Sequence, residues 1–142
     1  MFYKGNYPLK KAKVLSYGVN QMGDTEGLKP GIHAEHDALL KLIPNKKRRL
    51  QNINLLVIRL SGKNKLQSSK PCNNCIQTMR KLSIKKGYKI QNVYYSDNNE
   101  NIVRTTLYAL ENEERHYSRY YRFNKKNWMI KIDIVILIVV FW

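Results

Sequence analysis

Two short motifs constrain this chain more than anything else in it. His33-Ala34-Glu35 precedes Pro71-Cys72-Asn73-Asn74-Cys75, the first cysteine standing 39 positions after the histidine. Imidazole and thiolate are donors that zinc prefers, and three protein ligands leave a fourth position open for water, the arrangement of a catalytic rather than a structural site. For His33, Cys72 and Cys75 to share one ion, two stretches of chain far apart in sequence must begin side by side.

The surrounding pattern supplies the elements. Residues 13–19, small and apolar between a basic stretch and a polar loop, predict a strand. Residues 20–31, with Gly23, Gly27, Pro30 and Gly31, predict a loop. A helix is expected from about His33, because Ala34, Ala38, Leu39, Leu42 and Ile43 follow helical spacing until Pro44-Asn45. Residues 53–60 form a nearly continuous branched apolar run, which predicts a strand buried on both faces at the centre of a sheet. Residues 72–85 predict a second helix stopped by Gly87, and residues 88–96 a third strand. The five-residue turn 97–101 is too short for a parallel crossover, so residues 102–108 are expected to return as a hairpin strand. Residues 111–127, rich in tyrosine and arginine, are expected to be partly helical.

Composition narrows the setting. The 142 residues suit one domain. Both cysteines lie inside the single C-x-x-C, leaving none for a disulfide framework, so a reducing, cytoplasmic compartment and a metal or redox role are expected. The first residues lack the apolar run of a signal peptide. A net charge of +16 makes nucleic acid a candidate partner, although abundant Lys, Asn, Ile and Tyr also follow from AT-rich coding. The basic clusters at 46–49, at Lys81, Lys85, Lys86 and Lys89, and at 115–126 can equally be solvated faces, and their placement relative to the metal site separates the two readings.

Taken singly, each motif has a plain alternative. A C-x-x-C can be half of a zinc ribbon or a redox pair, and a ribbon would need a fourth ligand, for which His36 and His116 are the candidates. Together, with the proline ahead of Cys72, both motifs opening predicted helices and a buried strand between them, they favour the catalytic metal site. Glu35, two residues beyond His33, would then be the proton shuttle between water and substrate.

These residues resemble the cytidine deaminase-like superfamily, whose H-x-E and P-C-x-x-C motifs they match. The resemblance covers roughly residues 13–108. It implies an α/β fold, a three-layer α/β/α arrangement around a mixed, roughly five-stranded sheet, with the two metal motifs opening adjacent helices. It implies Zn2+ as cofactor, His33, Cys72 and Cys75 as its ligands, Glu35 as catalytic acid and base, and Asn20 with the backbone of Ala34 and Cys72 as substrate contacts. The activity implied is hydrolytic deamination of a cytosine-containing nucleoside or nucleotide. The alternatives are an RNA or DNA base editor and a non-catalytic deaminase-fold interaction protein. A hairpin after the third strand resembles the cytidine-type branch rather than the tRNA and single-stranded DNA editors.

One departure from the family pattern concerns the sheet. The family has a helix and a first, central strand ahead of the strand matching 13–19, where this sequence has 12 residues, so an N-terminally truncated version of the fold is expected. Residues 1–123 are assigned to a single deaminase-like domain and 124–142 to a basic, then apolar tail. Its nine closing apolar residues are too few to span a membrane as a helix and are expected to form a strand. That strand would repair the sheet, within the chain or across a homo-oligomer.

Overall fold

The computed structural model describes residues 13–21, 31–113 and 134–141. The elements run β1 (Lys13–Val19), α1 (Ala34–Lys41), β2 (Gln51–Leu60), β3 (Leu66–Gln67), α2 (Asn73–Lys85), β4 (Tyr88–Ser96), β5 (Ile102–Thr105), α3 (Leu107–Glu111) and β6 (Ile134–Phe141). The sheet order is β1-β6-β2-β4-β5, with the short β3 pairing off this path on β2. This is the mixed α/β sheet that the motifs implied.

Direction decides where a site can form. β2 and β4 are parallel, and β6 runs antiparallel to both β1 and β2, which makes β1, β2 and β4 parallel to one another. The carboxyl ends of three strands therefore gather at one pole, where α/β sheets place their ligands. β6 sits between β1 and β2, inside the sheet, so the closing apolar residues pair within the chain. Its register sets Gly18 opposite Leu137 and Val57 opposite Leu137 on the other side.

The core lies between the sheet and the helices. Ile53, Leu55 and Val57 of β2 and Val93 of β4 meet Ala34, Ala38 and Leu39 of α1 and Ile76 and Met79 of α2. Leu107 and Leu110 of α3 join the same cluster. A second helical layer is not among the described residues. In β2 three successive residues, Ile53, Asn54 and Leu55, are buried, as the nearly continuous apolar run suggested.

Two glycines set the packing. A Cβ on Gly18 would stand 2.3 Å from both the Ala34 carbonyl oxygen and the Ala38 nitrogen, so α1 presses directly on β1. Ser16 adds a bond from its hydroxyl to the Ala38 carbonyl at 2.8 Å. Gly87 has φ +87, the left-handed conformation that closes α2.

Residues 102–108 are corrected. β5 ends at Thr105, because the Thr106 hydroxyl accepts from the Ala109 N–H and starts α3. The hairpin itself forms, with β5 antiparallel to β4. Most of the segment expected to be partly helical, residues 114–127, lies outside the described residues, as does His116.

Candidate metal centre

Both metal motifs occupy helix entrances. His33 is the residue before the first turn of α1, in extended conformation (φ −71, ψ 152), and Cys72 holds the same position on α2 (φ −74, ψ 166). Extended backbone at such a position turns the side chain out of the helix, while the free N–H groups behind it favour negative charge. On α2 the Cys72 sulfur itself accepts from the Cys75 N–H at 3.4 Å. On α1 the corresponding role falls to Asn20, whose Oδ1 accepts from the Ala34 N–H at 2.8 Å.

The helices bring the three donors together. His33 Nδ1 lies 2.9 Å from Cys75 Sγ and 3.8 Å from Cys72 Sγ, and the donor atoms all fall within 4.8 Å of one another. Zinc, with bonds of about 2.3 Å to sulfur and about 2.0 Å to nitrogen, needs tetrahedral donors about 3.5 to 3.8 Å apart. The cluster therefore fits the ion with small adjustments. Both cysteines are buried and neither is in a disulfide. Among the described residues no fourth His, Cys, Asp or Glu joins the group, which leaves room for water. His36 is elsewhere, in a groove with Thr78, Lys81, Leu82 and Lys85.

The electrostatics suit a cation. Cys72 is drawn down to about 4, first by a hydrogen bond from the Cys75 thiol and, against the cost of burial, by His33. Cys75 is pushed up, because one proton between two close sulfurs stays with it. The Cys72 thiolate raises His33, although Cys75 is the nearer sulfur, because the negative charge is on Cys72. A divalent ion would replace that shared proton and hold both sulfurs as thiolates.

Glu35 is buried beside this cluster, at 5% exposure. Burial raises its carboxyl, outweighing its own backbone N–H and the nearby His33. A carboxyl tuned upward at a metal site is suited to carrying a proton in both directions.

Two supports were not legible in the motifs. Asp37 accepts from the Val19 N–H at 3.1 Å, from Gln21 Nε2 at 3.0 Å and from Lys41 Nζ at 2.8 Å. Asn20 lies between the two residues so held, and the Gln21 and Ile32 backbones pair in both directions, so Asp37 fixes the strand end that carries Asn20. On the other side, Ser69 donates to the Val57 carbonyl at 2.7 Å and its hydroxyl meets that of Ser96 at 2.8 Å. This buried pair ties the approach to Cys72 onto the ends of β2 and β4. An acid on a helix face and a serine in a polar loop carry no signal of such roles.

The described residues contain no helix long and apolar enough to cross a membrane. The chain matches no curated protein and no solved structure. It does match a family model, the cytidine and deoxycytidylate deaminase zinc-binding region, over residues 5–90. That span contains both motifs and the strand between them. With its zinc-fitting His/Cys/Cys cluster, the chain belongs to the cytidine and deoxycytidylate deaminase zinc-binding family.

Proposed function

We propose that the protein hydrolyses the exocyclic amine of a cytosine-containing nucleoside or nucleotide. The observation that carries this reading is the buried Glu35 carboxyl beside a three-donor cluster with no fourth ligand among the described residues. A purely structural zinc site has no use for that carboxyl. The antiparallel β4–β5 hairpin supports the cytidine-type assignment, as its resemblance to that branch implies.

His33, Cys72 and Cys75 would hold the zinc, which acidifies water towards a pKa of about 7. Glu35 accepts one proton of the attacking water and passes it to the ring nitrogen, then takes the remaining proton from the newly added hydroxyl and delivers it to the departing amine. The water oxygen bonds to the ring carbon, the carbon–nitrogen bond breaks, and ammonia leaves behind a carbonyl. Asn20 and the backbone at Ala34 and Cys72 would contact the substrate. Asn20 and the Ala34 N–H are bonded to each other, so they would meet the substrate as a pair.

The base-editor alternative gains less support. The 46–49 cluster follows the far end of α1 from His33, and Lys70, next to the Pro71-Cys72 entrance, is ion-paired with Glu113.

The test is metal analysis with ammonia release from cytidine, deoxycytidine and their phosphates. One zinc per chain and turnover of at least one substrate are expected, with Glu35→Ala retaining zinc and losing turnover by about 10³-fold or more. One zinc with no turnover of any of these substrates would overturn the proposal.

A further inference from the structure

The metal centre and a dense cluster of cations occupy opposite poles of the sheet. The metal centre occupies the carboxyl ends of β1, β2 and β4, and Asp97 and Glu100 lie in the turn beyond β4 at that same pole. The opposite pole is formed by the loop between α1 and β2 and by the turn between α2 and β4. Hydrogen bonds join the two: the Asn45 N–H to the Lys86 carbonyl at 2.8 Å, and the Tyr88 hydroxyl to the Ile43 carbonyl at 2.6 Å. Lys86 is spent on this joint, its ammonium reaching the Leu40 carbonyl and, at 2.8 Å, the Leu42 carbonyl.

Six other cations crowd the same pole: Lys46, Lys47, Arg48, Arg49, Lys85 and Lys89, all exposed. No Asp or Glu occurs in the sequence between Asp37 and Asp97, and no ion pair among the described residues involves any of the six. Aliphatic side chains stand among them. Ile43 is 77% exposed, Ile84 52%, and Leu40 and Leu50 47% each. The exposed Tyr17 ring lies under the Lys41 ammonium at the end of α1, 5.5 Å from it, and Tyr88 is buried.

We propose that this pole docks on an anionic lipid surface. Clustered cations are attracted to acidic headgroups, and protruding aliphatic side chains gain by entering the acyl boundary. A second copy of the pole would bring like charges together, which disfavours self-association. Single-stranded nucleic acid would make no use of the four protruding aliphatic side chains, whereas a lipid surface takes them up. Docked in this way, the chain faces its metal centre away from the surface, open to a dissolved substrate. The proposal does not depend on which substrate that is.

Sedimentation of the full zinc-loaded chain with phosphatidylcholine vesicles, with and without phosphatidylserine, tests it. Binding to the phosphatidylserine vesicles alone is expected, weakening steeply with salt. The K46E/K47E/R48E/R49E variant should bind more than about 100-fold more weakly, at roughly fivefold per charge. The I43N/L50N variant should lose about tenfold while keeping the salt dependence. All six positions are exposed, and unchanged zinc content and circular dichroism would show that both variants fold. Absence of vesicle binding by the parent chain overturns the proposal. So does parent-like binding by I43N/L50N, which would mark a general polyanion surface, or displacement from vesicles by an oligonucleotide that binds more tightly than they do.

Discussion

Cys72 and Cys75 reach the metal centre on a loop and helix locked to β2 and β4, strands that pair directly with each other. His33 arrives on α1, whose strand β1 has β6 as its partner in the sheet. The cysteine half is thus built from chain close to it in sequence. In the sheet, the histidine half is joined to the rest by a strand about a hundred residues away. One metal site, whose three donors lie within 4.8 Å, rests on two kinds of support, local on one side and remote on the other. Changes in each half should therefore fail differently.

The largest effect is expected at the seam itself. Cys75→Ser removes a donor from the point where the halves meet and should lower zinc affinity by well over about 100-fold, since even outer-sphere partners of metal ligands contribute 10- to 100-fold. Competition with a chelator measures it.

Gly18→Val attacks the histidine half. With backbone atoms 2.3 Å from the new Cβ, the helix must move off the strand, at a cost of about 3 kcal/mol or more in denaturant unfolding. Zinc affinity should fall with it, because α1 carries His33. A variant that loses stability but keeps parent zinc affinity would show that the seam, rather than β1, positions the histidine.

Asp37→Asn is a smaller and more diagnostic change in the same half. Burial opposes the Asp37 charge, but Lys41 and the Val19 N–H prevail and hold the carboxyl below its ordinary value. A depressed carboxyl stabilises the fold fully above the unfolded value, about 3.9, and that contribution is lost as pH falls through the lower folded value. The asparagine should cost about 2 kcal/mol at neutral pH. The gap between variant and parent should close in that acid window, and chemical denaturation across pH 2 to 7 checks it.

The smallest effect lies in the cysteine half. Arg80 and Glu111 form a two-pronged ion pair between α2 and α3, with the Nη2 bond at 2.8 Å, but both side chains are partly exposed. Arg80→Ala should cost under about 1 kcal/mol, less at high salt, and leave zinc affinity unchanged.

Local chemistry explains what the sequence revealed. The spacing of His33, Glu35, Cys72 and Cys75 marked the helix entrances, and an apolar run placed β2 at the centre of the sheet, because donor chemistry and hydrophobic burial act residue by residue. The turn at 97–101 showed the hairpin through its length alone. What stayed hidden depends on approach in space: the Gly18 contact with α1, the Asp37 clamp, the Ser69–Ser96 lock and the threonine cap that cuts β5 short at Thr105. The closing apolar residues suggested a strand, yet composition left open whether its partner would be this chain or another. Pairing with both β1 and β2 answers that within the chain.

Within the sheet, β6 is the strand that joins the histidine half to the cysteine half. Deleting residues 131–142 and measuring zinc stoichiometry together with cooperative unfolding tests it most directly. The full chain is expected to hold one zinc and unfold in one step. The shortened chain should lose tight zinc binding and the single cooperative transition, since β1 then has no sheet partner among the described residues. A soluble truncation that unfolds cooperatively and retains one zinc with parent affinity would contradict that role of β6.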